Sequence, residues 1–357
     1  MAATGTARLE SGGTNWARAV INAVHALEPD TRRIRTLEGV EQWWMGNALP
    51  SLLERSTAHE QAEVRIRTWQ MLAFAAQKLV RVKQVAAQVH GDFLASYEGL
   101  RRLCSSLTII CLGSVARWEA ELLSDADVDI VYDAPVSQRE AYARLLWNEV
   151  ARKLAGRALE AESGRYVAIE DARLYTYDDI EAELKNDYDH IAKIALEGVH
   201  LVRPAPMYLR RLGAALRAAD VLKIMEERQR WSQIRFEDAW KQIGTRGQMY
   251  PKTSLFHRLA TFHCQICGLK YGGVKLARLP YWKAADTMMS RLSGAAAGSL
   301  RDCVINTVLI RQERMPSTGD ILRLWNYSQT FATLTLPQLL PAGSGPGITK
   351  GRSLGVI

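Results

Sequence analysis

Leu107-Thr108-Ile109-Ile110-Cys111-Leu112-Gly113-Ser114-Val115-Ala116-Arg117-Trp118-Glu119-Ala120-Glu121-Leu122-Leu123-Ser124-Asp125-Ala126-Asp127-Val128-Asp129-Ile130-Val131-Tyr132 is the stretch that decides the fold. Leu107 to Leu112 is short and rich in β-branched residues, which predicts a buried strand. Gly113 allows a sharp turn and a close approach of backbone to a ligand. Ser114 stands where it can cap a following helix. The free N–H groups at such a helix start suit a phosphate. Arg117, three residues further, shares that face and suits the same anion.

The acidic residues alternate. Asp125, Asp127 and Asp129 are expected on one face of a second strand, with Val128 and Ile130 turned into the core. Three carboxylates in a row repel one another unless a cation sits among them. Mg²⁺ or Mn²⁺ takes carboxylate together with phosphate oxygens. Two such ions activate an attacking hydroxyl and stabilise a leaving pyrophosphate. A D-x-D-x-D run alone is as readily a solvated edge strand or a turn. Strand, Gly-Ser, Arg, Glu, Ser-Asp-x-Asp and strand together are far more restrictive, and they imply nucleotidyl transfer.

The segment resembles the polymerase-β-type nucleotidyltransferase superfamily, on Gly113, Ser114, Arg117, Glu119, Ser124, Asp125 and Asp127. It is similar to the minimal bacterial nucleotidyltransferases and to the adenylyl- and uridylyltransferases that modify nitrogen-regulation proteins. Ile194-Ala195-Leu196-Glu197-Gly198-Val199-His200-Leu201 resembles the I-x-x-E-G-x-x-L segment that closes the minimal core. The resemblance spans roughly residues 100 to 203. It implies metal held by Asp125 and Asp127, and triphosphate held by Gly113 and Ser114. Arg117 would steady the triphosphate or the helix. Counting back from Ile130-Val131-Tyr132 gives a second register, Asp127 with Asp129, and a longer helix before it. The resemblance also implies a third carboxylate on a later strand, able to assist deprotonation of the acceptor. The first choice is Asp171 and the second Glu170, at the end of the run Arg165 to Asp171. A further run, Ala172 to Tyr177, follows at once.

The remaining sequence frames this core. The chain has 357 residues, 48% of them hydrophobic, enough for two or three domains. No apolar run reaches membrane-span length, and Met1 to Gly13 is small and polar, so a cytoplasmic protein with no membrane partner is expected. Five cysteines, an odd number, do not make a disulfide framework. His257, His263, Cys264 and Cys267 cluster, yet at helical spacing they read better as core than as a zinc site. A net charge of +8 and a pI near 9.3 favour nucleoside triphosphate, with ATP the first choice, and to a smaller degree RNA.

The expected fold is α+β, a small mixed β-sheet nucleotidyltransferase core flanked by N- and C-terminal helical domains. Residues 1–15 read as a disordered N-terminus, 16–99 as a helical domain, 100–203 as the core, 204–335 as a second helical domain and 336–357 as a flexible tail. Leu72, Ala75, Leu79, Val82, Ala86 and Val89 form an apolar stripe on one long helix or two. Asn15 is a possible cap for the helix starting at Trp16. The function expected is metal-dependent transfer of a nucleoside monophosphate to an acceptor hydroxyl on protein, RNA or a small molecule, with pyrophosphate released. The alternative is a catalytically silent nucleotide-binding or regulatory module.

Overall fold

Thr57 and Glu60 start a 39-residue helix by exchanging caps. The Thr57 N–H donates to Glu60 Oε2 at 2.9 Å, and the Glu60 N–H donates to Thr57 Oγ1 at 3.2 Å. The helix that follows, α4, runs unbroken through Ala58–Ser96. The computed structural model describes residues 14–121, 124–159, 169, 172–186, 193–194, 196–218 and 254–311, with 319, 323, 326 and 330. Before α4 stand α1 (Thr14–Leu27), α2 (Leu37–Asn47) and α3 (Pro50–Leu53). Asn15 lies inside α1, so it is not the cap of that helix.

After α4 come α5 (Arg101–Ser106), β1 (Thr108–Leu112), the single turn α6 (Gly113–Ala116) and β2 (Asp127–Tyr132). A helical stretch follows as α7 (Arg139–Leu146), a π-turn (Trp147–Ala151) and α8 (Arg152–Leu159). Then come β3 (Ala172–Thr176), α9 (Tyr177–Asn186) and β4 (Val199–His200). Thr176 caps α9 by accepting the Asp179 N–H at 3.1 Å.

The four strands make one sheet in the order β3-β2-β1-β4. β1 is antiparallel to β2 and to β4, while β2 and β3 are parallel. The fold is therefore α+β, largely helical around a small mixed sheet. Alternation divides the sheet into two faces. One face carries Ile109, Cys111, Val128, Ile130, Tyr132 and Ala172 into a core shared with Ala75, Val82, Ala86 and Val89 of α4 and with Leu146, Val150 and Leu154. The other face carries a row in direct register, Arg173, Asp129, Ile110 and His200.

The chain falls into two compact units, one within Met1–Ala48, Thr68–Ile180 and Glu197–Arg211, the other within Leu49–Arg67, Glu181–Leu196 and Leu212–Ile357. The first unit thus joins most of α4 to the sheet, and α4 side chains buried between Ala75 and Phe93 pack into the sheet's core. In the second unit, the Leu52 N–H of α3 donates to Asp286 Oδ1 at 2.8 Å, and Asp286 is 6% exposed. Cys264 and Cys267 are buried on the helix Ser254–Ala277, while the side chains of His257 and His263 lie outside the described residues. All five cysteines are free thiols. No helix among the described residues is long and apolar enough to cross a membrane.

Candidate functional site

Gly113 ends β1 in the left-handed region, with φ 73°. A Cβ at this position would lie 2.1 Å from Asp127 Oδ2 and 3.2 Å from its Cγ. The reason is the strand register, which sets Leu112 directly opposite Asp127. Only glycine lets the turn pass this close to the carboxylate. The close approach that the structure shows at Gly113 is to the first strand carboxylate, where the sequence led to the expectation of a ligand. Gly113→Ala is expected to destabilise the protein by at least about 1–3 kcal/mol from the backbone conformation alone. Urea unfolding checks this; an unchanged midpoint would show that the turn is not held in this form.

Two local expectations are corrected here. Ser114 does not cap the helix, because the helical turn begins one residue earlier and Leu112 takes the cap position without a side-chain bond. The helix is also not extended: Trp118 adopts φ 63°, which ends it. The Ser114 carbonyl accepts the Glu119 N–H at 2.8 Å, so the chain folds back at once. Ser114 itself remains partly exposed beside Gly113.

Arg117 is placed differently from an anion contact. It is 6% exposed, and its guanidinium is spent on two buried carboxylates. Nε donates to Glu119 Oε2 at 2.9 Å, and Nη1 pairs with Glu197 Oε2 at 2.8 Å. Glu119 is fully buried and Glu197 is 5% exposed. Burial works to lower the Arg117 pKa, but Glu197, Glu119 and Asp127 together leave it raised, so it is permanently charged. Glu197 Oε2 also accepts the Gly113 N–H at 3.3 Å. The three-residue ion cluster therefore holds the Gly113 turn from behind.

The three aspartates do not form one strand row. Asp127 and Asp129 share a face of β2, while Asp125 precedes the strand. Asp125 and Asp127 are partly exposed. Asp129 is fully buried and accepts from Arg173 Nε at 3.0 Å. Asp171 and Glu170, the expected third carboxylates, lie outside the described residues; β3 begins at Ala172, paired with Val128.

The aspartates lie near basic residues from other parts of the chain. Asp129 is ion-paired to Arg173 of β3, and the charge of Asp127 acts on both Arg117 and Arg173. Asp125 acts on Lys78 of α4, whose Nζ donates to the Ser124 carbonyl at 2.8 Å. Burial lowers the Lys78 pKa to about 8, with Asp125 working the other way. Tyr208, on the helix Pro206–Ala218, is 1% exposed and meets His200 edge-on with ring centroids 5.7 Å apart. Its hydroxyl is buried with no hydrogen-bond partner among the described residues. Burial and then the Asp129 charge push its pKa up.

The donor set can be tested against a divalent cation. Among the described residues no three ligating side chains of His, Cys, Asp or Glu converge on one point. A cage built wholly of protein ligands is thus not formed by them. Mg²⁺, however, is commonly bound through one or two carboxylates, with substrate phosphates and waters completing the octahedron. Asp125 and Asp127, both partly exposed and the latter against the glycine turn, fit that mode, while Asp129 is already ion-paired to Arg173.

Sequence reasoning missed several residues of this assembly. Lys78 left a signal, since Ala75, Lys78 and Val82 fall on one apolar helical face where a charge is out of place. Glu197 was visible only as part of the closing segment. Arg173 and Tyr208 left none, because strand register and helix docking bring them in. Neither a known family model nor a curated protein sequence matches this chain.

Proposed function

We propose that the chain is a metal-dependent nucleotidyltransferase, moving a nucleoside monophosphate from a triphosphate to an acceptor hydroxyl with release of pyrophosphate. The observation that carries the reading is the Gly113 turn, φ 73°, closed against the carboxylate of Asp127 at the head of the neighbouring antiparallel strand. A turn with no side chain next to a hard-oxygen ligand is what a metal-bound triphosphate needs. Asp125 and Asp127 are the proposed metal ligands, with Asp127 common to both sequence registers. A bound Mg²⁺ or Mn²⁺ supplies charge neutralisation at the phosphates and lowers the pKa of a bound oxygen nucleophile. Ser114 offers its hydroxyl to the triphosphate, and Gly113, whose N–H is held by Glu197, offers the close approach of a residue without a side chain. Arg117, Glu119 and Glu197 keep that turn in place. Asp171 is the proposed third carboxylate. The basic net charge draws in the anionic substrate. The acceptor class, protein, RNA or small molecule, follows from the assay.

One observation favours a second reading, a nucleotide-binding module without turnover. Asp129, the partner of Asp127 in the alternative register, is buried and already ion-paired to Arg173. Label transfer separates the two. Each common α-labelled triphosphate, with Mg²⁺ or Mn²⁺ and a host lysate, is expected to label one acceptor band and release pyrophosphate. Folded protein that binds nucleotide one-to-one, yet releases no pyrophosphate with any of them, would replace the enzyme by the binding module.

A further inference from the structure

Lys78 is a lysine on the wrong side of its helix. It sits within the apolar stripe of α4, three residues from Ala75 and four from Val82, and is only 5% exposed. A buried ammonium is costly unless its donors are used. Its Nζ reaches across to the Ser124 carbonyl at 2.8 Å, 46 residues away in sequence. Ser124 is itself bonded twice to Glu121: its hydroxyl accepts the Glu121 N–H at 2.8 Å, and its N–H donates to the Glu121 carbonyl at 3.2 Å. Asp125 follows at once and Asp127 opens β2. Ser124, at the entry to β2, is therefore held from two sides, by its bonds to Glu121 and by a cation from α4. Asp125 is also close enough for its charge to act on Lys78.

We infer that Lys78 is a positioning residue for the carboxylate site: its bond to the Ser124 carbonyl, across the gap between α4 and the entry to β2, fixes where Asp125 stands relative to Asp127. The inference rests on the reading of those two aspartates as metal ligands. Asp125 has no strand partner to hold it, unlike Asp127, which is opposite Leu112. Two oxygens must be held at nearly fixed separation to share one small cation, since Mg²⁺ tolerates little departure from octahedral geometry. A tether one residue away from the ligand supplies that constraint. A Lys ammonium suits this task because it bonds a carbonyl as a compact point charge and lowers the repulsion between neighbouring carboxylates.

The test uses the full chain and Mn²⁺, alone and with ATP present, titrated by electron paramagnetic resonance, on wild type, Lys78→Met, Lys78→Arg and Asp127→Asn. Lys78→Met is expected to weaken Mn²⁺ about tenfold, the effect typical of losing a group that orients a ligand. Lys78→Arg, which keeps a cationic donor, is expected to recover most of that loss, and cooperative unfolding should persist in both. A purely structural lysine would lower stability and leave the Mn²⁺ affinity of folded protein unchanged. If Asp127→Asn loses Mn²⁺ while Lys78→Met binds it as wild type does, the role of Lys78 is refuted and the metal reading stands. If wild type and Asp127→Asn bind Mn²⁺ alike, both alone and with ATP present, both are refuted. Lys78→Gln replaces the Met variant, with the same two outcomes, should that variant not fold.

Discussion

Asp127→Asn is expected to reduce pyrophosphate release by at least about 10²–10³-fold, the scale reached when one preorganised charge-stabilising contact is removed. The fold should survive, because Asn is isosteric and Asp127 is partly exposed at the first position of β2. Its strand pairing with Leu112 is made by backbone and does not depend on the charge. Removing the charge relieves repulsion with Asp125 and gives up attraction to Arg117 and Arg173, two effects that oppose each other in stability. Activity and stability should therefore separate: turnover collapses while the unfolding midpoint moves little. Asp129→Asn should behave differently. That residue is fully buried against Arg173, so its loss leaves a guanidinium without its carboxylate and lowers stability along with any effect on rate. Steady-state pyrophosphate release and urea unfolding on the two variants check the contrast. Near-normal release by Asp127→Asn would remove this residue from the metal site and with it the case for nucleotidyl transfer.

The sheet centre was legible because its signals are local. Leu107 to Leu112 and Asp127 to Tyr132 carry strand-forming residues, and Gly113 marks the turn between β1 and α6; the structure places β1 at Thr108–Leu112 and β2 at Asp127–Tyr132. The stripe from Leu72 to Val89 likewise predicted the buried side of α4, which is one helix. What failed were inferences from spacing to contact. Arg117 stands three residues after Ser114, and helical spacing put it beside the phosphate turn. The helix lasts one turn only, so Arg117 swings under the turn toward Glu119 and Glu197 instead. Glu197 is 84 residues from Gly113, and only the pairing of β4 with β1 brings its neighbourhood to that turn. The alternation of three aspartates also overstated the strand, since alternation fixes a face only where the backbone is extended and paired. Asp125 lies ahead of β2, and its surroundings are set by Lys78 from a helix that starts well before it. Local pattern thus predicts elements, while the partners of a charged side chain are decided by register and packing over long sequence separation.

Arg117→Met is expected to destabilise the protein by about 3–5 kcal/mol, the cost of leaving buried charges without their partner. Two carboxylates are involved. Glu119 is fully buried and Glu197 nearly so, and both converge on one guanidinium at 2.9 and 2.8 Å. Met fills much of the arginine stem's volume, so the loss is chiefly electrostatic and not a cavity. The reverse experiment separates these contributions. Adding Glu119→Gln and Glu197→Gln to Arg117→Met removes the stranded charges and should restore much of the stability, since an apolar and neutral replacement of a buried ion cluster is often tolerated. Activity should not return with it. Glu197 Oε2 accepts the Gly113 N–H while being held by Arg117, so the cluster sets the position of the turn that closes on Asp127. The triple variant is then folded but carries a turn whose rear support is neutral and free to shift, and a displacement of even 1 Å at such a site costs about 10²-fold in rate. Urea unfolding and pyrophosphate release, measured on the single and triple variants, give the two quantities. Full recovery of rate with the triple variant would show that the cluster serves folding alone and that the Gly113 turn keeps its shape without it.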